Sequence, residues 1–165
     1  RIVPEKGLHY LIEAFKNINT TKKLVIAGGA SHTNKYLEEI KEMVKDDNRI
    51  IMTGFVQKEE LEELYSNCFL YCLPSDIEGM PLSLLEAMSF GANTLISDIE
   101  ENTQVAENYA VTFKKSDVLD LQNKLEQMLN NKTVKYEKEE ISRYITKKYN
   151  WDNIVEKLQE IYTKI

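Results

Sequence analysis

The sequence predicts an α/β protein built on a doubly wound parallel sheet. Three observations predict it. Short apolar, β-rich runs alternate with amphipathic helical stretches as far as residue 113. The run at 69–75, FLYCLPS, shows no polar alternation, as expected of a strand covered on both faces. Beyond residue 113 the pattern is helical only. Together these describe a Rossmann-like sheet finished by C-terminal helices.

The elements follow in order. Residues 5–18 carry Leu8, Leu11, Ile12, Phe15 and Ile18 at helical spacing. Residues 22–29, KKLVIAGG, read as a strand running into a glycine turn. A helix is predicted over 33–46, with Tyr36, Leu37, Ile40, Met43 and Val44 on one side. A strand over 49–56 and a helix over 57–68 precede the strand at 69–75. Residues 80–91 read as a helix, with Pro81 near its start and Gly91 at its end. Then come a strand over 92–98, a short helix over 100–108 and a last strand over 110–113. Helices over 116–131, 138–150 and 151–165 close the chain.

The 165 residues suffice for one domain with a full core, and neither repeats nor low-complexity linkers divide them. The chain opens on RIVPEKG, a loop leading into a helix, without a Met. A strand feeding that loop is expected ahead of Arg1, so the chain reads as part of a longer protein. Net charge is −6, which argues against a nucleic-acid surface. No run reaches transmembrane length, and a cytoplasmic location is expected. Peripheral contact with the inner membrane face would have to come from outside this sequence. Cys68 and Cys72 read as free core thiols.

In an open α/β sheet, ligands bind at the carboxyl ends of the strands. The loops there are 1–6, 27–34, 53–57, 74–80 and 97–102. Within SDIEGMPLSLLEAM, residues 75–88, Glu78 and Glu86 would lie ~12 Å apart if 78–86 were one helix. Pro81 suits the first helical turn, so Glu78 and Gly79 are expected in the loop and both carboxylates can reach one nucleotide-sized ligand. The N–H groups of Leu82 and Ser83 would then form an anion site. The competing reading puts Glu86 on a solvated stripe, although Leu84, Leu85, Ala87 and Met88 leave little polar face. Arg1 and Lys6 are phosphate-binding candidates or plain surface cations. Gly28 and Gly29 allow close backbone approach or simply make a turn. His9 and His32 are too few for a dyad or zinc site, and His32 reads as a surface residue. The tetrapeptide SDIE occurs twice, at 75–78 and 97–100, which weakens Asp76 and Glu78 as metal ligands.

These pieces resemble the C-terminal domain of retaining glycosyltransferases of family 4, which have the two-domain GT-B fold. RIVPEKG (1–7) is similar to that family's Arg…Glu-Lys-Gly loop. Residues 49–75 are similar to its strand, Gly-Phe-Val, helix and Pro-Ser run. EGMPLSLLEAM (78–88) matches its Glu, seven residues, Glu signature, and 149–162 resembles its terminal helix. Asn93 stands where the family often has Pro, and Gln104 where it often has Glu.

The resemblance implies one half of a GT-B fold that binds a nucleotide-diphosphate sugar and transfers the sugar with retention. The acceptor would be a poly- or oligosaccharide or a lipid, held by an N-terminal domain not in this sequence. It implies that Arg1 and Lys6 hold the diphosphate, with the N–H groups of Leu82 and Ser83. Glu86 would accept the ribose hydroxyls. Glu78, with Gly79 and Met80, would contact the transferred sugar. The loop holding Phe55 and Val56 would border the base, and Gly28 and Gly29 would line the cleft. No metal or other cofactor is implied, and this chain alone would be inactive. A non-catalytic nucleotide-sugar-binding module is the alternative.

Overall fold

A computed structural model describes residues 1–30, 34–130 and 136–163, with Trp151 described by its backbone alone. After a 3₁₀ turn at Pro4–Lys6, the elements run α1 (Leu8–Lys16), β1 (Leu24–Ala27), α2 (Lys35–Val44), β2 (Ile50–Gly54), α3 (Lys58–Asn67) and β3 (Tyr71–Leu73). They continue with α4 (Leu82–Ser89), β4 (Thr94–Ser97), α5 (Glu100–Ala106) and β5 (Val111–Phe113). Three helices finish the order: α6 (Val118–Leu129), α7 (Lys138–Lys148) and α8 (Trp151–Thr163). The expected helix ends at residues 33, 131 and 164–165 lie outside the described residues. Among those described, no helix is long and apolar enough to cross a membrane.

Most elements are shorter than the apolar runs that predict them, for identifiable reasons. Gly7, at φ +65°, separates the 3₁₀ turn from α1, so the helix starts at Leu8. Gly54, at φ +71°, ends β2. Pro74, which has no N–H to offer the ladder, follows β3 directly. Other boundaries are chemical. The Gln57 N–H donates to Glu60 Oε2 at 2.8 Å at the head of α3. Asp117 Oδ1 accepts the Asp120 N–H at 3.0 Å at the head of α6.

All strand pairs among the described residues are parallel, and they form two hydrogen-bonded sets, β1–β2 and β3–β4–β5. No strand among the described residues lies between β1 and β3. Only an isolated bridge, Ile2 to Ala30, extends alongside the end of β1. The core nevertheless joins the sets. Leu95 and Phe113 pack with Ile12, Phe15, Ile26, Ile40 and Leu121 on one face. The adjacent Ile96 points the other way, packing with Leu73, Leu84, Met88, Val105, Ile141 and Ile145. This opposition of Leu95 and Ile96 is the doubly wound arrangement, with helices on both faces. Cys68 and Cys72 are free and half-buried, and burial pushes the Cys72 thiol up to about 12.

Arg49 fixes the edge remote from the loops. Its guanidinium pairs with Asp47 at 2.6 Å and donates to the carbonyl of Ile18 at 2.6 Å. It also lies over the Phe15 ring, tying the end of α1 to the entry of β2. On the opposite face α7 packs tightly on α4. A Cβ at Gly91, where φ is +73°, would fall 2.5 Å from the Lys138 carbonyl oxygen.

Candidate functional site at the strand ends

The loops leaving the carboxyl ends of the strands converge first at Gly7. A Cβ there would lie 2.0 Å from the Pro74 carbonyl oxygen, so only glycine lets the two loops touch. The Asp76 N–H donates to the Glu5 carbonyl at 2.8 Å and locks the approach. This sets Lys6 against Glu78, with Nζ 2.7 Å from Oε1 and 2.8 Å from Oε2. Ser75 Oγ donates to Glu78 Oε1 at 2.5 Å. Glu78 is only 9% exposed, and a buried carboxylate requires such donors. The resemblance assigns Lys6 to the diphosphate and Glu78 to the sugar; in the fold the two side chains are in direct contact.

The start of α4 differs in detail from expectation. Pro81 caps the helix instead of occupying its first turn, with φ −77° and ψ 72°. The Leu82 N–H is already used, donating to the Met80 carbonyl at 2.8 Å. Of the two expected anion-binding N–H groups, only that of Ser83 makes no hydrogen bond among the described residues. The Ser83 hydroxyl accepts from Tyr71 OH at 2.8 Å. Burial pushes that phenol well above its ordinary range, so it stays a donor. Gly79 and Met80 are exposed beside Glu78.

Glu86 occupies the open side of α4. The helix buries Leu84, Ala87 and Met88, while Leu82, Glu86 and Phe90, one turn apart, are all exposed. Leu84, Leu85, Ala87 and Met88 suggest little polar face in the sequence, and in the fold they do point inward or are half-buried, while Glu86 shares the open side with the exposed apolar Leu82 and Phe90. Tyr65 OH donates to Glu86 Oε2 at 3.2 Å. Burial first, and the Glu86 charge second, push the Tyr65 phenol well up.

A further group forms at the ends of β1 and β2. The Ile2 N–H donates to the Gly29 carbonyl at 2.9 Å, and the Gly28 N–H to the Gly54 carbonyl at 2.8 Å. Gly28, at φ +143°, lies against the Arg1 backbone, to which a Cβ would come within 3.7 Å. Arg1 is exposed, Val56 is half-buried, and Phe55 stands 80% exposed. The structure thus joins Arg1, Gly28, Gly29 and the Phe55 loop, and joins Lys6 with Glu78. Among the described residues, Glu86 shares a hydrogen bond with neither group.

The repeated SDIE is an interlock between neighbouring strand ends. Asp76 Oδ1 accepts Ser116 Oγ at 2.7 Å and Oδ2 accepts Tyr10 OH at 3.2 Å. Asp98 Oδ1 accepts the Lys115 N–H at 2.8 Å. Both aspartates therefore brace the turn between β5 and α6, where Ser116 sits at φ +59°. Among the described residues, no three acidic, histidine or cysteine side chains cluster to hold a metal ion. His9 Nδ1 lies 2.7 Å from Tyr36 OH, and His32 is outside the described residues. Sequence reasoning missed Ser75, Tyr65 and Tyr71. The doubled SDIE was a signal for Ser75; nothing marked the two tyrosines.

Residues 1–148 match the family model described as Glycosyl transferases group 1. An uncharacterized glycosyltransferase of Methanocaldococcus jannaschii is 26% identical over 98% of this chain and 43% of that protein. The serotype-specific mannosyltransferase WbdA of Escherichia coli is 31% identical over 72% of this chain and 14% of its own length. The chain therefore spans less than half of these curated relatives. Among solved structures, Anabaena HepE in complex with UDP-glucose superposes over the whole chain and 47% of its own, with TM-score 0.89 and 18% identity. The catalytic domain of Helicobacter pylori cholesterol-α-glucosyltransferase gives TM-score 0.69 at 24% identity, covering 88% of this chain and 89% of that one.

Proposed function

Because the chain belongs to the glycosyl transferases group 1 family, we propose that it is the donor-binding half of a retaining glycosyltransferase using a nucleotide-diphosphate sugar. One observation carries this reading: the Lys6–Glu78 pair at the mouth of α4 is nearly but not fully saturated. An ammonium has three N–H bonds, and two go to Glu78. A carboxylate accepts about four hydrogen bonds, and Lys6 and Ser75 supply three. One donor for a phosphate oxygen and about one acceptor for a sugar hydroxyl are left, side by side.

The remaining roles follow from position. Arg1, the free Lys6 N–H and the Ser83 N–H at the α4 start take the diphosphate and stabilise its charge as it leaves. Glu78, with Gly79 and Met80, takes the sugar. Glu86 takes the ribose hydroxyls. Phe55 and Val56 border the base, and Gly28 and Gly29 form the wall beside Arg1. Retention fits same-face attack with oxocarbenium character, and no metal is assigned a role. The edges of β1 and β3 that pair with no strand among the described residues are the proposed seat of a strand ahead of Arg1, and the acceptor is proposed to sit on a domain preceding that strand. HepE complexes with UDP and with UDP-glucose support a nucleotide-sugar donor. WbdA and a Salmonella typhimurium lipopolysaccharide 1,2-N-acetylglucosaminetransferase, 25% identical over 97% of this chain, support hexosyl-type transfer.

Thermal unfolding of the complete protein with UDP, GDP and ADP sugars, each with and without chelator, tests the reading. One sugar nucleotide is expected to raise the melting temperature whether or not chelator is present. No shift with any of them, or a shift abolished by chelator, contradicts it.

A further inference from the structure

Behind Glu78 lies a chain of buried polar groups that the donor reading does not use. Asn102, Ser97 and Ser75 are each 0% exposed, and come from α5, the end of β4 and the loop after β3. Asn102 Nδ2 donates to Ser97 Oγ at 3.0 Å and faces the Ser97 carbonyl at 3.4 Å. Ser97 Oγ donates in turn to the Ser75 carbonyl at 2.6 Å. Ser75 Oγ then donates to Glu78 Oε1 at 2.5 Å. Burying four polar side chains in one line is costly unless they are satisfied. Here one group is not: Asn102 Oδ1 is buried without a hydrogen-bond partner among the described residues. A purely packing role would be served better by apolar residues of the same size. The direction of the bonds gives a reason to keep the polar ones. Each donates toward Glu78, and the end of the line is the carboxylate facing the ligand position.

We propose that Asn102, Ser97 and Ser75 are positioning residues that hold the Glu78 carboxylate for the sugar of the donor. Ser97 fixes the Ser75 peptide through its carbonyl, and Asn102 fixes the Ser97 hydroxyl as a donor by occupying its acceptor side. The fixed Ser75 hydroxyl leaves Glu78 one orientation between itself and Lys6. Lys6 comes from the 3₁₀ turn on the other side, so the carboxylate is clamped between two separate parts of the chain. This inference rests on the reading that Glu78 contacts the sugar.

The test separates the sugar from the nucleotide. In the complete protein, calorimetric titration with UDP, GDP and ADP, and with UDP-glucose, GDP-mannose and ADP-glucose, gives the affinity gained by adding the sugar. Ser75→Ala and Ser97→Ala are expected to cut that gain about five- to tenfold and to leave diphosphate affinity unchanged. Ser75→Thr, which keeps the hydroxyl, is expected to restore it. Loss of diphosphate and sugar-nucleotide affinity in parallel, or an unchanged gain in both alanine variants, overturns the relay. Glu78→Gln keeps the two failures apart. If Glu78→Gln removes the gain but the serine variants do not, the relay falls and the donor reading stands. If wild type shows no gain, or Glu78→Gln leaves it intact, the donor reading falls and takes the relay with it.

Discussion

Glu78 and Glu86 belong to one short motif yet occupy opposite environments. Glu78 is buried, held by Lys6 and Ser75 from two separate loops. Glu86 is exposed on α4 and, among the described residues, its carboxylate takes one long hydrogen bond, from Tyr65. A buried carboxylate with fixed donors is held in place before any ligand arrives. An exposed one keeps its freedom and its hydration. The difference suits their proposed partners: a reacting sugar needs accurate placement, whereas ribose hydroxyls need only an acceptor.

The largest expected effect comes from removing what holds the Glu78 region together. Gly7→Ala drives a Cβ into the Pro74 carbonyl at a backbone conformation that disfavours side chains, and is expected to destabilise by ~3 kcal/mol or more. Chemical denaturation measures it, and a stability near wild type would show that the loops can part without cost. Next is Lys6→Met, which leaves Glu78 buried without its cation. Because Lys6 is itself partly exposed, about 2 kcal/mol is expected. A cycle with Glu78→Gln isolates the coupling, and an additive pair would erase the contrast with Glu86. Smaller still is Tyr65→Phe, expected to cost less than about 1 kcal/mol. A loss equal to that of Lys6→Met would make the two carboxylates alike.

The smallest effect lies away from the site. Arg49 holds the Asp47 carboxyl down to about 2, below its ordinary value near 3.8. A depressed folded-state value means that the pair's stabilisation is complete above about pH 4 and fades as pH falls towards 2. Asp47→Asn is expected to flatten the pH dependence of stability in that window alone. Unfolding curves taken from pH 5 to pH 2 measure it, and an unchanged slope would remove Asp47 from the account.

Periodicity made the elements legible, because burying Leu11, Ile12 and Phe15, or Leu84 and Met88, leaves a local trace in the sequence. The spacing of Glu78 and Glu86 around Pro81 was legible for the same reason. Pairings across the fold were not. Lys6 and Glu78 are 72 residues apart, and the approach of Gly7 to Pro74, locked by the Asp76 N–H on the Glu5 carbonyl, brings them together. The exposure of Glu86 was only partly legible: Leu84, Leu85, Ala87 and Met88 argued against a solvated stripe, yet Glu86 lies on an open side that also carries the apolar Leu82 and Phe90. Which strands pair was not legible either, since a strand run does not say which neighbour it takes. The doubled SDIE, which weakened a metal reading, marks two adjacent strand ends bracing one turn.

The most direct test is to titrate Glu78→Gln and Glu86→Gln in the complete protein with the best-binding sugar nucleotide and with its diphosphate. Glu78→Gln is expected to weaken the sugar nucleotide about tenfold and leave the diphosphate unchanged, while Glu86→Gln weakens both equally. The same pattern in both variants, or no loss in either, would contradict the assignment of the two carboxylates to the two ends of the donor.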